Sequence, residues 1–380
     1  MIFSQRDVEI LRLIRWCQFI AEADLNGIFS ETERENLLAL RLIRRHEKSG
    51  ALIMSKKGVS LLQEIFNDEP PKYPPSYHTA ITQRRLRLSK LILTAYSGRV
   101  DIFLSQNKLL SKTPSMFLST LTRERGSNPW GSTRVAAIAH LGDLFCAVHY
   151  VCPGIGKLAL ADELMAFSNQ TAQFPNAKRA FIFAGESYRD ILAELEADAQ
   201  TDSKLISYGG VYQCLQIPIH LLSCDKTGAV QLQIMAVPDY RRLLTQAALK
   251  EQYRPPPSEV PAWDALFQGL PFVMAADMDL RRVDAAIQAA KAKGLEMVVL
   301  AALDRQAKEV LFPRYRDTGL ARVFVLNDAA IMEVTGRPPV PYLPPRTQFL
   351  TSKGDVVDAP PIRIPGKAGG QAGGKVRSLG

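Results

Sequence analysis

The sequence predicts an α+β protein in three parts: a basic, helix-rich N-terminal domain, an α/β domain with a mixed sheet, and a disordered basic tail. Three observations lead there. Residues 1–68 show helical periodicity punctuated by serine caps. From about residue 132, apolar β-prone runs alternate with helical segments. The last forty residues are dominated by proline and glycine.

Ser4 is the N-cap of a first helix, with Val8 and Leu11 opening a period near 3.6. A short second helix is expected over 21–29, with Gly27 near its end. Ser30 caps a third helix, with Glu33 at the capping-box position. Leu37, Leu40 and Ile43 supply its buried side, and Gly50 is expected to end it. Arg34, Leu38, Arg41, Arg45 and Lys48 then recur at three- and four-residue steps along one face. A short apolar strand follows, and Lys56-Lys57-Gly58 opens another helix. This is how winged-helix domains pass from recognition helix to wing, and it points to duplex DNA. Phosphate contacts are assigned to Arg41, Arg44, Arg45, Lys48, Lys56 and Lys57, and base-edge contacts to Arg34 and Asn36. Glu31, Glu33 and Glu35 stand at the end where a recognition helix meets bases and would repel phosphates. The same domain could therefore dock a protein instead. His46 reads as a packed core histidine.

Charge supports a polyanionic partner at the chain's two ends. The net charge of +9 is uneven: residues 1–100 hold 16 Lys+Arg against 11 Asp+Glu, and residues 341–380 hold 6 against 2. The middle is balanced. The composition is that of an ordinary soluble globular protein, with no apolar run long enough to span a bilayer and no signal-peptide layout at the start. A cytoplasmic location is expected. The five cysteines are scattered without a Cys-x-x-Cys pair, so reduced thiols and no metal are expected.

The boundaries that follow are 1–68 for the winged helix, 76–110 for a bracing helix and linker, 130–338 for the α/β domain and 339–380 for the tail. Residues 67–77 are a proline-rich linker. The segment 78–96 is a helix with Arg84, Arg85, Arg87 and Lys90 on its polar side, either bracing the first domain or touching the DNA backbone. Residues 134–140 and 144–151 form a hairpin around Leu141-Gly142-Asp143. Helices are expected at 158–172, 187–199 and 240–251, and strands at 179–184, 213–222, 230–237, 271–276, 296–301 and 322–326.

Catalytic motifs are weak. A restriction-type nuclease needs an Asp/Glu-x-Lys on a strand, and Asp202-Ser203-Lys204 follows a helix instead. Asp239-Tyr240-Arg241 is a looser variant. Asp277, Asp279 and Asp304 follow strands and could hold magnesium, although helix capping explains them as well. Pro153-Gly154-Ile155-Gly156-Lys157 lacks phosphate-loop spacing, the histidines form no relaxase-type cluster, and no Gly-x-Ser-x-Gly elbow occurs.

Arg6-Asp7-Val8-Glu9-Ile10-Leu11, the stretch Ser132–Ile138 running into Phe145–Tyr150, and Lys178–Glu186 together resemble the replication-relaxation family of bacterial plasmids and integrative conjugative elements. The resemblance implies a DNA-binding accessory factor in replication, relaxation or transfer of a mobile element, without catalysis of its own and without a cofactor. Double-stranded DNA would be its partner, with replication or conjugation proteins and a second copy of the chain as further candidates. The alternatives left open are a metal-dependent nuclease and a transcriptional regulator whose α/β domain senses a ligand or dimerises.

Overall fold

The computed structural model describes residues 2–66, 78–103, 113–119, 130–131, 133–153, 157–197, 205–343, 349–351, 353 and 355–357. The chain divides into two compact units, Met1–Glu69 with Pro344–Gly380 and Pro70–Leu343. Mixed α and β structure runs through both.

In the first unit a short strand β1 (Ile2–Ser4) leads into α1 (Gln5–Cys17) through the expected cap. Ser4 accepts from the Asp7 N–H, and Asp7 reaches back to the Ser4 backbone, which satisfies two donors at the helix start. The expected second helix is only a 3-10 turn, Glu22–Leu25. Ser30 then caps α2 (Glu31–Ala39) with Glu33, as the sequence indicates. The expectation that this helix reaches Gly50 is corrected: it ends at Ala39.

The stop has a physical cause. Arg41 takes a left-handed φ of 58°. Its N–H donates to the Leu38 carbonyl, and the Leu42 N–H donates to the Leu37 carbonyl. These two bonds form a Schellman cap, and buried Leu37 and Leu42 supply the apolar contact that accompanies it. Ile43–Arg45 is therefore a strand, β2, paired antiparallel with β3 (Leu52–Met54), and Gly50 sits in the connecting turn with φ of 67°. An isolated bridge from Ile20 to Leu52 extends this small sheet. Ser55 caps α3 (Lys56–Ile65). Gly58 is required there, because a Cβ would stand 2.2 Å from the Leu42 carbonyl oxygen. Helix α1 packs on α2, α3 and β3, burying Ile10, Leu11, Leu13 and Trp16.

The C-terminal segment is not wholly without structure. Phe349–Thr351 pairs antiparallel with β1 and with Val356–Val357. The expectation of an unstructured tail from residue 339 is corrected for these strands; residues 358–380 lie outside the described residues, as does the proline-rich linker.

The second unit begins with α4 (Thr79–Ser97). Helix α4 belongs to the second unit, where it packs on a later helix and on the sheet. That sheet has the order β4-β5-β6-β7-β8. Strands β4 (Ser115–Leu118), β5 (Ala137–Leu141) and β6 (Leu144–Tyr150) run antiparallel, and β7 (Lys178–Gly185) and β8 (Ile219–Ser223) continue parallel to β6. The predicted hairpin at Gly142 is the β5–β6 connection. Helices α5 (Leu160–Gln170), α6 (Tyr188–Glu196) and α7 (Tyr208–Cys214) make the crossovers. Residues 230–237, expected as a strand, belong instead to α8 (Lys226–Met235), which Asp225 caps. The alternation of apolar residues with Gln231 and Gln233 resembles a half-exposed strand. The helix is buried on every side, however, and its glutamines are core residues.

Beyond α9 (Tyr240–Leu249), strand β9 (Ala265–Phe267) pairs antiparallel with β10 (Leu270–Met274). Strands β11 (Val298–Ala302) and β12 (Ala321–Val325) add on in parallel, linked by α10 (Leu280–Ala292) and by α11 (Asp304–Gln306), which runs on as a π-helix, Ala307–Arg316. A last helix, α12 (Asp328–Thr335), is capped by Asn327. One apolar core includes residues of both sheets, from Phe145 and Phe181 to Val273 and Leu300. None of the helices among the described residues is long and apolar enough to cross a membrane.

His149 on β6 is fully buried against Phe181, Phe183 and Tyr208, and neither ring nitrogen has a hydrogen-bond partner among the described residues. Burial pushes its pKa down from 6.5 to about 3. The unfolded chain therefore takes up a proton that the folded chain cannot, and stability falls as pH drops from 6.5 toward 3. His149→Phe is expected to shallow this acid limb by up to about 1.4 kcal/mol per pH unit. Thermal melts between pH 4 and 7 measure the slope, and an unchanged slope contradicts the assignment.

Candidate nucleic-acid interface

The eight residues assigned to DNA from sequence separate into two groups. Arg34 is only 5% exposed; it donates to the Phe29 carbonyl at 2.8 Å and to Asn26 Oδ1 at 2.9 Å, with Glu22 3.7 Å away. It cannot reach a base edge without breaking those bonds. Arg45 is exposed but bridges Glu22 and Glu35, the latter at 2.6 Å. The Arg34 assignment is corrected, since its side chain serves the fold of the first unit; Arg45 stays at the surface, its guanidinium shared with two acids. Glu22 is held below the usual carboxylate range, chiefly by its hydrogen bonds from Arg45 and despite partial desolvation.

Asn36 is half-buried on α2. The exposed side of that helix is made by Glu31, Thr32, Glu35 and Ala39, with no cation. The single cationic helix face expected from Arg34 to Lys48 does not exist, because the chain turns at Arg41. What the structure does present is a basic run along the backbone that follows. Arg41 at the helix cap, Arg44 in β2, Lys48 in the hairpin turn, and Lys56 and Lys57 at the start of α3 are all exposed. Lys57 Nζ also reaches the Leu40 carbonyl at 3.1 Å, across the cap. Two lysines in the first turn of α3 oppose the helix dipole, an arrangement that an external anion would relieve. His46 is buried edge-on against Phe19 and bonds to Ser49, as a packed histidine should.

The Arg6-Asp7 pair has structural work as well. Arg6 bonds to Glu33 at 2.6 Å and to the Ile28 carbonyl, and Asp7 completes the α1 cap.

In the second unit the carboxylates that could suggest a nuclease are committed elsewhere. Asp277 is fully buried and accepts from Tyr240 at 2.6 Å and from Arg241 at 2.5 Å. Burial alone would raise its pKa, but the guanidinium of Arg241, with His220 and Arg282, outweighs burial and holds it ionised. Asp279 caps α10, Asp239 is exposed and pairs with Arg242, and Asp304 pairs with Lys308. Among the described residues no three His, Cys, Asp or Glu side chains are placed to hold a metal ion. Residues 202–204 lie outside the described residues.

Sequence reading did not foresee one other feature. Arg84 and Arg87, on the polar side of α4, meet Arg134, Tyr150 and Tyr208 around a cavity of about 530 Å³. The basic spacing on α4 was legible; the residues opposite it, 50 to 120 positions away, were not. Close by, Glu163 accepts the Arg134 N–H at 2.5 Å, and burial pushes its carboxyl up to about 7.

Arg34→Ala is expected to lower unfolding free energy by about 2–3 kcal/mol, because it strands the buried Phe29 carbonyl, whereas Arg41→Ala should stay within about 0.5 kcal/mol. Urea denaturation of the two variants measures this, and equal losses would contradict the division between structural and surface cations. No family model, curated protein or solved structure matches the chain.

Proposed function

We propose that the first unit is a winged-helix domain that grips the backbone of duplex DNA with its hairpin and the start of α3. On this reading the protein is an accessory factor in replication, relaxation or transfer of a mobile element, and it performs no catalysis. One observation carries the proposal: five exposed cations of this unit, Arg41, Arg44, Lys48, Lys56 and Lys57, run from the cap of α2 to the start of α3, while the exposed side of α2 carries Glu31 and Glu35. The order helix, 3-10 turn, helix, hairpin, helix supports the winged-helix reading. The charge pattern favours phosphate contacts from the hairpin over base reading by the helix. Affinity with little sequence preference follows, because cations on phosphates carry no base information.

The ligand-sized cavity of the second unit favours one other reading, a regulator whose DNA grip responds to a small molecule.

Fluorescence anisotropy with a short duplex at increasing salt tests the proposal. A steep fall of binding with salt is expected. Combining Arg41→Ala, Arg44→Ala and Lys48→Ala should reduce the slope of log K against log salt by about 0.9 per lost phosphate contact, for any duplex sequence. No salt-sensitive binding at low ionic strength, or an unaltered slope in the triple variant, overturns it.

A further inference from the structure

The cavity of the second unit lies where the sheet ends and is built from four distant stretches of chain. Helix α4 contributes Ile81, Arg84 and Arg87. The approach to β5 contributes Arg134, the end of β6 contributes Tyr150, and the first residue of α7 contributes Tyr208. Its position is informative, because β6 and β7 are parallel and end here, and open α/β sheets take ligands outside the carboxyl ends of parallel strands.

The chemistry of the wall narrows the ligand. Three guanidinium groups stand around one cavity, and among the described residues no carboxylate lines it. Among the described residues Arg87 donates to the Cys152 sulfur, at 3.1 Å, and a thiol is a weak acceptor. Arg134 is exposed. Glu186, which accepts from the Tyr150 hydroxyl at 3.1 Å, also pairs with Lys90 at 2.5 Å. Like charges gathered in a concave site focus a positive potential that an anion neutralises, and the planar fork of arginine fits phosphate oxygens in pairs. Apart from Gln83, the remainder of the described wall is aromatic and aliphatic. Tyr150 and Tyr208, with Ile81, offer ring and methyl surface to a flat apolar group. A cavity of about 530 Å³ is of small-ligand size and takes one such group with its phosphate.

We propose that this cavity binds a single nucleoside phosphate, with the phosphate on Arg84, Arg87 and Arg134 and the base against Tyr150 and Tyr208. The nucleotide comes either free from solution or as the unpaired, phosphorylated end of a DNA strand. Both sources present the same chemistry to the wall. The inference stands apart from the hairpin reading, since every residue of the cavity belongs to the second unit.

Full-length protein is titrated, by calorimetry and by anisotropy, with deoxynucleoside 5′-monophosphates, with a 5′-phosphorylated oligothymidine, with its unphosphorylated counterpart and with inorganic phosphate. Saturable binding of a nucleotide or of the phosphorylated strand is expected. Arg87→Gln with Arg134→Gln should weaken it by at least about tenfold, while Arg316→Gln, which removes an exposed charge elsewhere, leaves it unchanged. Arg134→Gln alone, at an exposed position, repeats the test without touching packed structure, and thermal melts report folding of each variant. A strand that binds more tightly than the free monophosphate identifies the strand as the source; equal affinity identifies the free nucleotide. The hairpin variants Arg41→Ala, Arg44→Ala and Lys48→Ala should leave this binding intact, so failure of one reading is distinguishable from failure of the other. The proposal is overturned if no nucleotide or phosphorylated strand binds at millimolar concentration. It is also overturned if binding survives in the double variant, or if inorganic phosphate competes as well as the nucleotide does.

Discussion

The second unit depends on a buried polar node that joins its two sheets. Gln231 of α8 donates to the Leu221 carbonyl on β8 and to the Asp277 carbonyl beyond β10, and it accepts from the Tyr188 hydroxyl of α6 at 2.6 Å. Gln306 of α11 bonds to the same hydroxyl, to Gln231 and to the Ala276 carbonyl. Two glutamines and a tyrosine thus satisfy backbone groups of both sheets where neither sheet could do so itself. In an interior of low dielectric each such bond is strong, and each unmade one is costly, so the node fixes a single register between the sheets. Asp277, anchored by Arg241 and Tyr240, continues the node with an ion pair. Its carboxylate is valuable as a strut and unsuited to chemistry, because its oxygens are occupied.

A fixed sheet end is what lets arginines from α4 and from the approach to β5 line one cavity. In the first unit the analogous constraint is local. The Schellman cap at Arg41 turns a would-be long helix into a short helix and a hairpin, and so moves the basic residues from a helix face to a loop and a strand. The same residues are then exposed outside the helix, and the short helix left behind shows its acids.

Much of the architecture was legible from local chemistry. Ser4 and Ser30, the latter with Glu33 at the capping-box position, located the starts of α1 and α2, since a cap needs only four residues. Gly142 between two apolar runs located the β5–β6 hairpin. The errors arose where distant contacts overruled local pattern. Arg41 in a left-handed cap carries no glycine to announce it, and its bonds are decided by the burial of Leu37 and Leu42. Residues of α8 were read as a strand, because nothing nearby reveals that Tyr188 and Gln306 would satisfy Gln231 in the core. Arg34 was read as a surface cation for the same reason: its acceptors at Phe29 and Asn26 become neighbours only after folding.

By itself the sequence determined the α+β class, the helix starts, the main hairpin and the concentration of positive charge toward the ends of the chain. These are matters of neighbours within a few residues, or of composition. The tertiary structure decided which cations remain at the surface, which carboxylates are struts, and that Phe349–Thr351 returns to pair with β1. It also decided that Arg87, Arg134, Tyr150 and Tyr208 share one cavity. Each of these is a contact between residues far apart in the chain, and only the packing of the core brings such residues together.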